Sequence, residues 1–157
     1  MKKFYDKHEL AFAIVWIVAY VNLFSMADNA SKAMGTEKLI TFPVAALMSA
    51  VLLLWLRRHG LFEKYGLCAP TASARRFLYY LPLLLIVSCN AWFGLRLNMS
   101  VVESVLYVLT MLCVGFLEEM IFRGLLFQAM EKNGVRSAII VSSVTFGIGH
   151  IVNLFNG

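Results

Sequence analysis

Three charged residues, Glu118, Glu119 and Arg123, stand inside a run of apolar residues that reads as membrane-spanning helix. From Ser104 to Met130 they are the only charges. An ionisable group at bilayer depth costs several kcal/mol, roughly 2.5–3.5 on insertion scales, so it is rarely idle. The next apolar run carries a lone histidine, His150. A carboxylate and an imidazole held together are the groups that move protons in general acid–base chemistry. On an α-helix Glu119 and Arg123 are i,i+4 neighbours and can pair. Glu118 is rotated about 100° from Glu119, so one arginine serves both poorly. One negative charge is then left without a partner on its own helix. It must be protonated, meet water, bind a cation or find a partner on another helix.

The elements that must position these groups follow from composition. Apolar residues make up 61% of the 157-residue chain and charged residues 15%, against an apolar share of about 45–50% in soluble domains. Mean hydropathy is +0.76. Five apolar runs approach the ~20 residues that a spanning helix needs: Leu10–Ala27, Leu39–Leu56, Phe77–Leu95, Val105–Met130 and Ala138–Phe155. They lack the polar faces of a soluble helical core. The expected fold is all-α, a polytopic membrane helix bundle of about five transmembrane helices. Residues 1–157 form a single transmembrane domain, and 104–157 is its motif-bearing helix pair. The first run is too long for the apolar region of a signal peptide and is expected to stay in the chain.

Basic residues set the orientation. Lys2, Lys3 and Lys7, then Arg57, Arg58, Lys64, Arg75 and Arg76, then Lys132 and Arg136 fall in alternate connections, whereas the opposite side holds Lys32, Lys38 and Arg96. That excess predicts a cytoplasmic amino terminus and a multi-pass protein of the plasma membrane. The net charge of +5 belongs to this sidedness, and no nucleic-acid partner is expected. The basic residues between Arg57 and Arg76 are expected against anionic lipid headgroups. Cys68, Cys89 and Cys113 lack ligand spacing and read as small apolar filler.

Depth links the two polar runs. Glu118 lies 13 residues before Glu131, about 20 Å, and His150 lies 14 residues after Arg136, about 21 Å. A Lys132-Asn133-Gly134 turn should make the two helices antiparallel neighbours, so the acid and the imidazole can meet at one level. Phe146 and Asn153 share the face of His150 at i−4 and i+3. A bland alternative for His150 is a hydrogen bond that joins two helices. Gly147 and Gly149 beside it fit close helix packing.

At these residues the chain resembles the CAAX prenyl protease and bacteriocin-processing (CPBP, also ABI) family of intramembrane proteases. Glu118, Glu119 and Arg123 match its Glu-Glu-x-x-x-Arg motif, and Phe146 and His150 match its Phe-x-x-x-His motif, with Asn153 a frequent companion. The resemblance covers mainly Leu112–Gly157. It implies peptide-bond hydrolysis in or beside the bilayer, with Glu118 activating water, His150 holding or polarising it, and Glu119 and Arg123 in support. A divalent metal such as zinc is a candidate cofactor, with Glu118 and His150 as its ligands. One glutamate and one histidine are fewer than the three protein ligands usual at a catalytic zinc.

The family pattern continues with a further span that carries a second histidine, whereas this chain stops seven residues after His150. Three expectations stay open: a shortened form, a site completed differently, or a protein that does not cleave peptides. Substrates would be a peptide or a membrane protein, with membrane lipid as the surrounding partner. The competing readings are a catalytically inactive immunity or peptide-binding protein on the same scaffold, and a small transporter subunit using the Glu/His pair as a proton relay.

Overall fold

The computed structural model describes residues 1–69 and 99–156, with isolated positions between 70 and 98, and the side chains of 151–156 are outside that description. The expected span Phe77–Leu95 therefore lies mostly outside the described residues, as does Cys89. Every regular element among the described residues is helical: α1 (Lys2–Lys7), α2 (Glu9–Ala33), α3 (Thr41–Arg58), α4 (Val101–Glu131) and α5 (Val135–Asn156). Helices α2, α3 and α4 are each long and apolar enough to cross a membrane.

The helices begin and end where local chemistry allows. A bend at His8 (φ −140°, ψ 62°) separates α1 from α2, a short additional helix that hydropathy did not signal. The backbone amides that open α3 are met by Ser31, whose Oγ accepts from Ile40 N at 2.9 Å and Thr41 N at 3.2 Å. Ser100 and Glu103 form a reciprocal capping box at the start of α4, which satisfies amides that would otherwise be orphaned. The turn after α4 is the expected one. Asn133 N donates to Met130 O and Gly134 N to Glu131 O, both at 2.9 Å. Gly134 takes a φ of 115°, a left-handed conformation that side chains resist.

Packing follows one aromatic-rich core. Phe12 of α2 stacks on Trp55 of α3 with centroids 4.8 Å apart, and Tyr5 of α1 meets Trp55 edge-on at 5.2 Å. Tyr20, Leu52, Leu117, Ile121 and Phe122 continue that core into α4. The first part of α4 packs on α3, its later part on α2, and α5 folds back along that later part. Outward-facing Val18, Leu54, Leu112 and Ile140 are exposed. Apolar surface of this extent suits hydrocarbon rather than water.

Polar contacts at the two ends fix the alternation of the helices. At one end, Glu9 is held by Lys64 and by Lys132, each at 3.0 Å. Lys64 also donates to Tyr5 Oη at 2.6 Å, and the Tyr5 and Tyr65 hydroxyls are 2.7 Å apart. At the other end, Asp28 takes an ion pair from Lys38 at 2.8 Å and a hydrogen bond from Thr41 Oγ1 at 2.6 Å. Lys64 and Lys132 thus share an end, as the charge pattern requires. Lys64 departs from the expected role at lipid headgroups. It turns inward because Glu9 and the Tyr5 hydroxyl offer it charge-assisted bonds. Those bonds outweigh its partial burial and raise its pKa above the ordinary value. Burial first, then Tyr5, pushes the Tyr65 phenol up as well.

Candidate functional site

The motif-bearing stretch of α4 is not an ordinary α-helix. From Glu119 to Leu126 it is π-helical, with bonds reaching five residues back rather than four. The α-helical register expected from the side-chain spacing is corrected here to a π-helical one. Hydropathy carries no information on hydrogen-bond register. The wider coil buries Ile121, Phe122, Gly124, Leu125 and Leu126 against α2, α5 and the loop after α3. At Gly124 an added Cβ would sit 3.4 Å from the Tyr65 ring, so glycine lets that ring close on the helix.

Glu119 and Arg123 form the expected ion pair at 2.8 Å, with side chains 55% and 69% exposed. Charges at this depth normally face a bundle interior or a water-filled cavity. Glu118 turns elsewhere and is half-buried. Tyr20 Oη of α2 donates to Glu118 Oε1 at 3.1 Å. Of the four outcomes open to the unpaired carboxyl, the structure shows a partner on another helix. Tyr20 itself is 8% exposed.

Depths agree. Tyr20 lies 11 residues after Glu9, about 17 Å, and Glu118 lies 13 residues before Glu131, a distance that the wider π-helical coil shortens below the α-helical value of about 20 Å, counted from the end where Glu9 meets Lys132. Sequence reasoning missed Tyr20. Its signal was a tyrosine at mid-span, away from the interfacial belts where tyrosine concentrates.

His150 stands on α5, exposed. Its Nδ1 lies 3.2 Å from the Phe146 carbonyl oxygen, and its ring rests on the Phe146 ring with centroids 4.5 Å apart. Phe146 in turn meets Phe122 of the π-helical stretch edge-on at 5.4 Å. That contact sets the register of the helix pair. Glu118 and His150 each lie four residues beyond it, toward the same end of the bundle. No described contact joins the two; each is bonded to another group. Phe146 is thus placed as a spacer between α4 and His150, and the side chain of Asn153 lies outside the described residues.

Among the described residues no three or more His, Cys, Asp or Glu side chains gather as metal ligands. Glu118 Oε1 is engaged by Tyr20 and Glu119 by Arg123, and no described contact brings Glu118 and His150 together as a ligand pair. Cys68 and Cys113 are free thiols.

The apolar bundle thus carries an acid and an imidazole on the helix hairpin of its carboxy-terminal third. Residues 100–157 match the family model described as type II CAAX prenyl endopeptidase Rce1-like. The family resemblance drawn from Glu118, Glu119, Arg123, Phe146 and His150 is borne out over that segment. No curated protein and no solved structure matches the chain.

Proposed function

We propose that the protein is an intramembrane endopeptidase that hydrolyses a peptide bond in a membrane-associated or peptide substrate. The observation that carries this reading is Glu118, a half-buried carboxyl bonded to Tyr20 within a segment that matches the CAAX endopeptidase model. Tyr20 holds one carboxylate oxygen, Oε1, and leaves Oε2 to take a proton from water. The water oxygen attacks the scissile carbonyl carbon. The proton then passes to the leaving nitrogen as the carbon–nitrogen bond breaks, giving a new carboxylate and a new amine.

His150, at the same level on the neighbouring helix, orients the water or the carbonyl oxygen through the ring nitrogen not turned to Phe146. Glu119 and Arg123 neutralise one another and keep that face polar without competing for Glu118. The amino terminus is cytoplasmic in this reading, and the protein resides in the plasma membrane.

The test is cleavage of a peptide library by the purified chain in liposomes made up in heavy-oxygen water. Hydrolysis puts one heavy oxygen into each new carboxy terminus. Peptides retained on the protein without cleavage would support the immunity or peptide-binding alternative instead.

A further inference from the structure

Away from the glutamates, a groove of about 410 Å³ runs between α1, α2 and α3. Met1, Phe4, Phe12, Leu23, Leu47 and Val51 are among its walls, every lining residue is apolar, and none belongs to α4 or α5. Its volume lies within the roughly 300–1,000 Å³ of small-molecule sites. From Phe12 to Leu23 it follows α2 for 11 residues, about 17 Å. One leaflet of a ~30 Å hydrocarbon core is about as deep.

Basic residues of α1 adjoin, in sequence, the residues that close one end of the groove. Lys3 and Lys7 are exposed at i,i+4 on α1, next in the chain to Met1 and Phe4. The neighbouring cations are already committed: Lys2 to Asp6 at 2.9 Å, Lys64 and Lys132 to Glu9 at 3.0 Å. Among the described residues Lys3 and Lys7 have no acidic partner. An exposed apolar helix face alone would meet bulk lipid without preference. A concave slot one leaflet deep, with unpaired positive charge at its interfacial end, selects a molecule with an anionic head and a single chain's width of hydrocarbon beneath it. We propose that this groove binds an anionic phospholipid, one acyl chain lying along α2 and α3 and the phosphate meeting Lys3 and Lys7.

The test is native mass spectrometry of the full chain, released from detergent after exposure to phosphatidylglycerol or phosphatidylcholine of identical chains. One phosphatidylglycerol should be retained with at least tenfold preference, because each basic residue near an anionic surface contributes about fivefold. Lys3→Ala/Lys7→Ala should abolish the preference while leaving weak retention of both lipids. Val51→Trp and Leu47→Trp, at positions 44% and 66% exposed, should each block the slot and lose both lipids with an unchanged helical signal. Two outcomes overturn the proposal: equal retention of the two lipids by the wild-type chain, or unaltered retention in both tryptophan variants. Retention of no lipid by the wild-type chain overturns it as well.

Discussion

Phe122 and Phe146 meet ring to edge with centroids 5.4 Å apart, and that contact aligns the two helices bearing the candidate site. Phe122 is 4% exposed. Removing a buried phenyl ring loses its transfer free energy and leaves a cavity, typically 3–5 kcal/mol for Phe→Ala. Phe122→Ala is expected to destabilise the bundle by about 3 kcal/mol and to reduce any cleavage beyond what the loss of folded protein explains. Denaturation in detergent measured beside activity per folded molecule checks both.

Tyr20 and Glu118 give a finer test. Tyr20→Phe keeps the ring and removes only the hydroxyl that donates at 3.1 Å. A hydrogen bond to a charged group is worth about 1.5–3 kcal/mol. The expected outcome is a fall in kcat of about tenfold or more, with KM little changed, because the hydroxyl touches the carboxylate and not the substrate. A change confined to KM would place Tyr20 at the substrate instead.

The Glu119–Arg123 pair should behave as a unit. Arg123→Met leaves Glu119 unpaired at membrane depth, where an isolated charge costs roughly 2.5–3.5 kcal/mol on insertion scales. Stability should fall, and Glu119→Gln/Arg123→Met should recover most of it. Thermal unfolding of the single and double variants in the same lipid checks this. Equal loss in both would show that the charges act separately.

The Lys64 cluster predicts a loss of stability at alkaline pH. Burial disfavours the ammonium, but the hydrogen bonds and charges of Tyr5 and Glu9 outweigh it and raise its pKa above the ordinary 10.5. A pKa raised in the folded state stabilises the fold fully below the unfolded value, and that contribution is lost as pH rises through the folded value. The melting temperature should therefore fall as pH climbs above 10.5, and Lys64→Met should flatten that part of the profile.

What the sequence made legible was local. The Glu119–Arg123 pair follows from i,i+4 spacing, and the Lys132–Gly134 turn follows from a glycine able to take positive φ. The spans follow from runs of apolar residues. The ends of Glu9–Ala33 and Val101–Glu131 moved outward by a few residues, as where the Ser100 cap extends a helix past its apolar part, while the span expected from Leu39 starts two residues later, at Thr41. Tyr20 meets Glu118 across 98 positions, and no spacing rule connects residues so far apart. The π-helical register of Glu119–Leu126 is a matter of backbone bonding that side-chain pattern does not encode. The double hold on Glu9 was hidden for the same reason as Tyr20: its partners, Lys64 and Lys132, come from two distant connections.

The central claim is that the Glu118 carboxylate activates water, and Glu118→Gln tests it most directly because the amide keeps the shape and still accepts from Tyr20. General-base catalysis contributes roughly 10²–10⁴-fold. Rates of peptide cleavage by wild-type and Glu118→Gln protein in the same liposomes should differ by at least a hundredfold, at equal helical content. Cleavage by the glutamine variant at the wild-type rate would contradict the account.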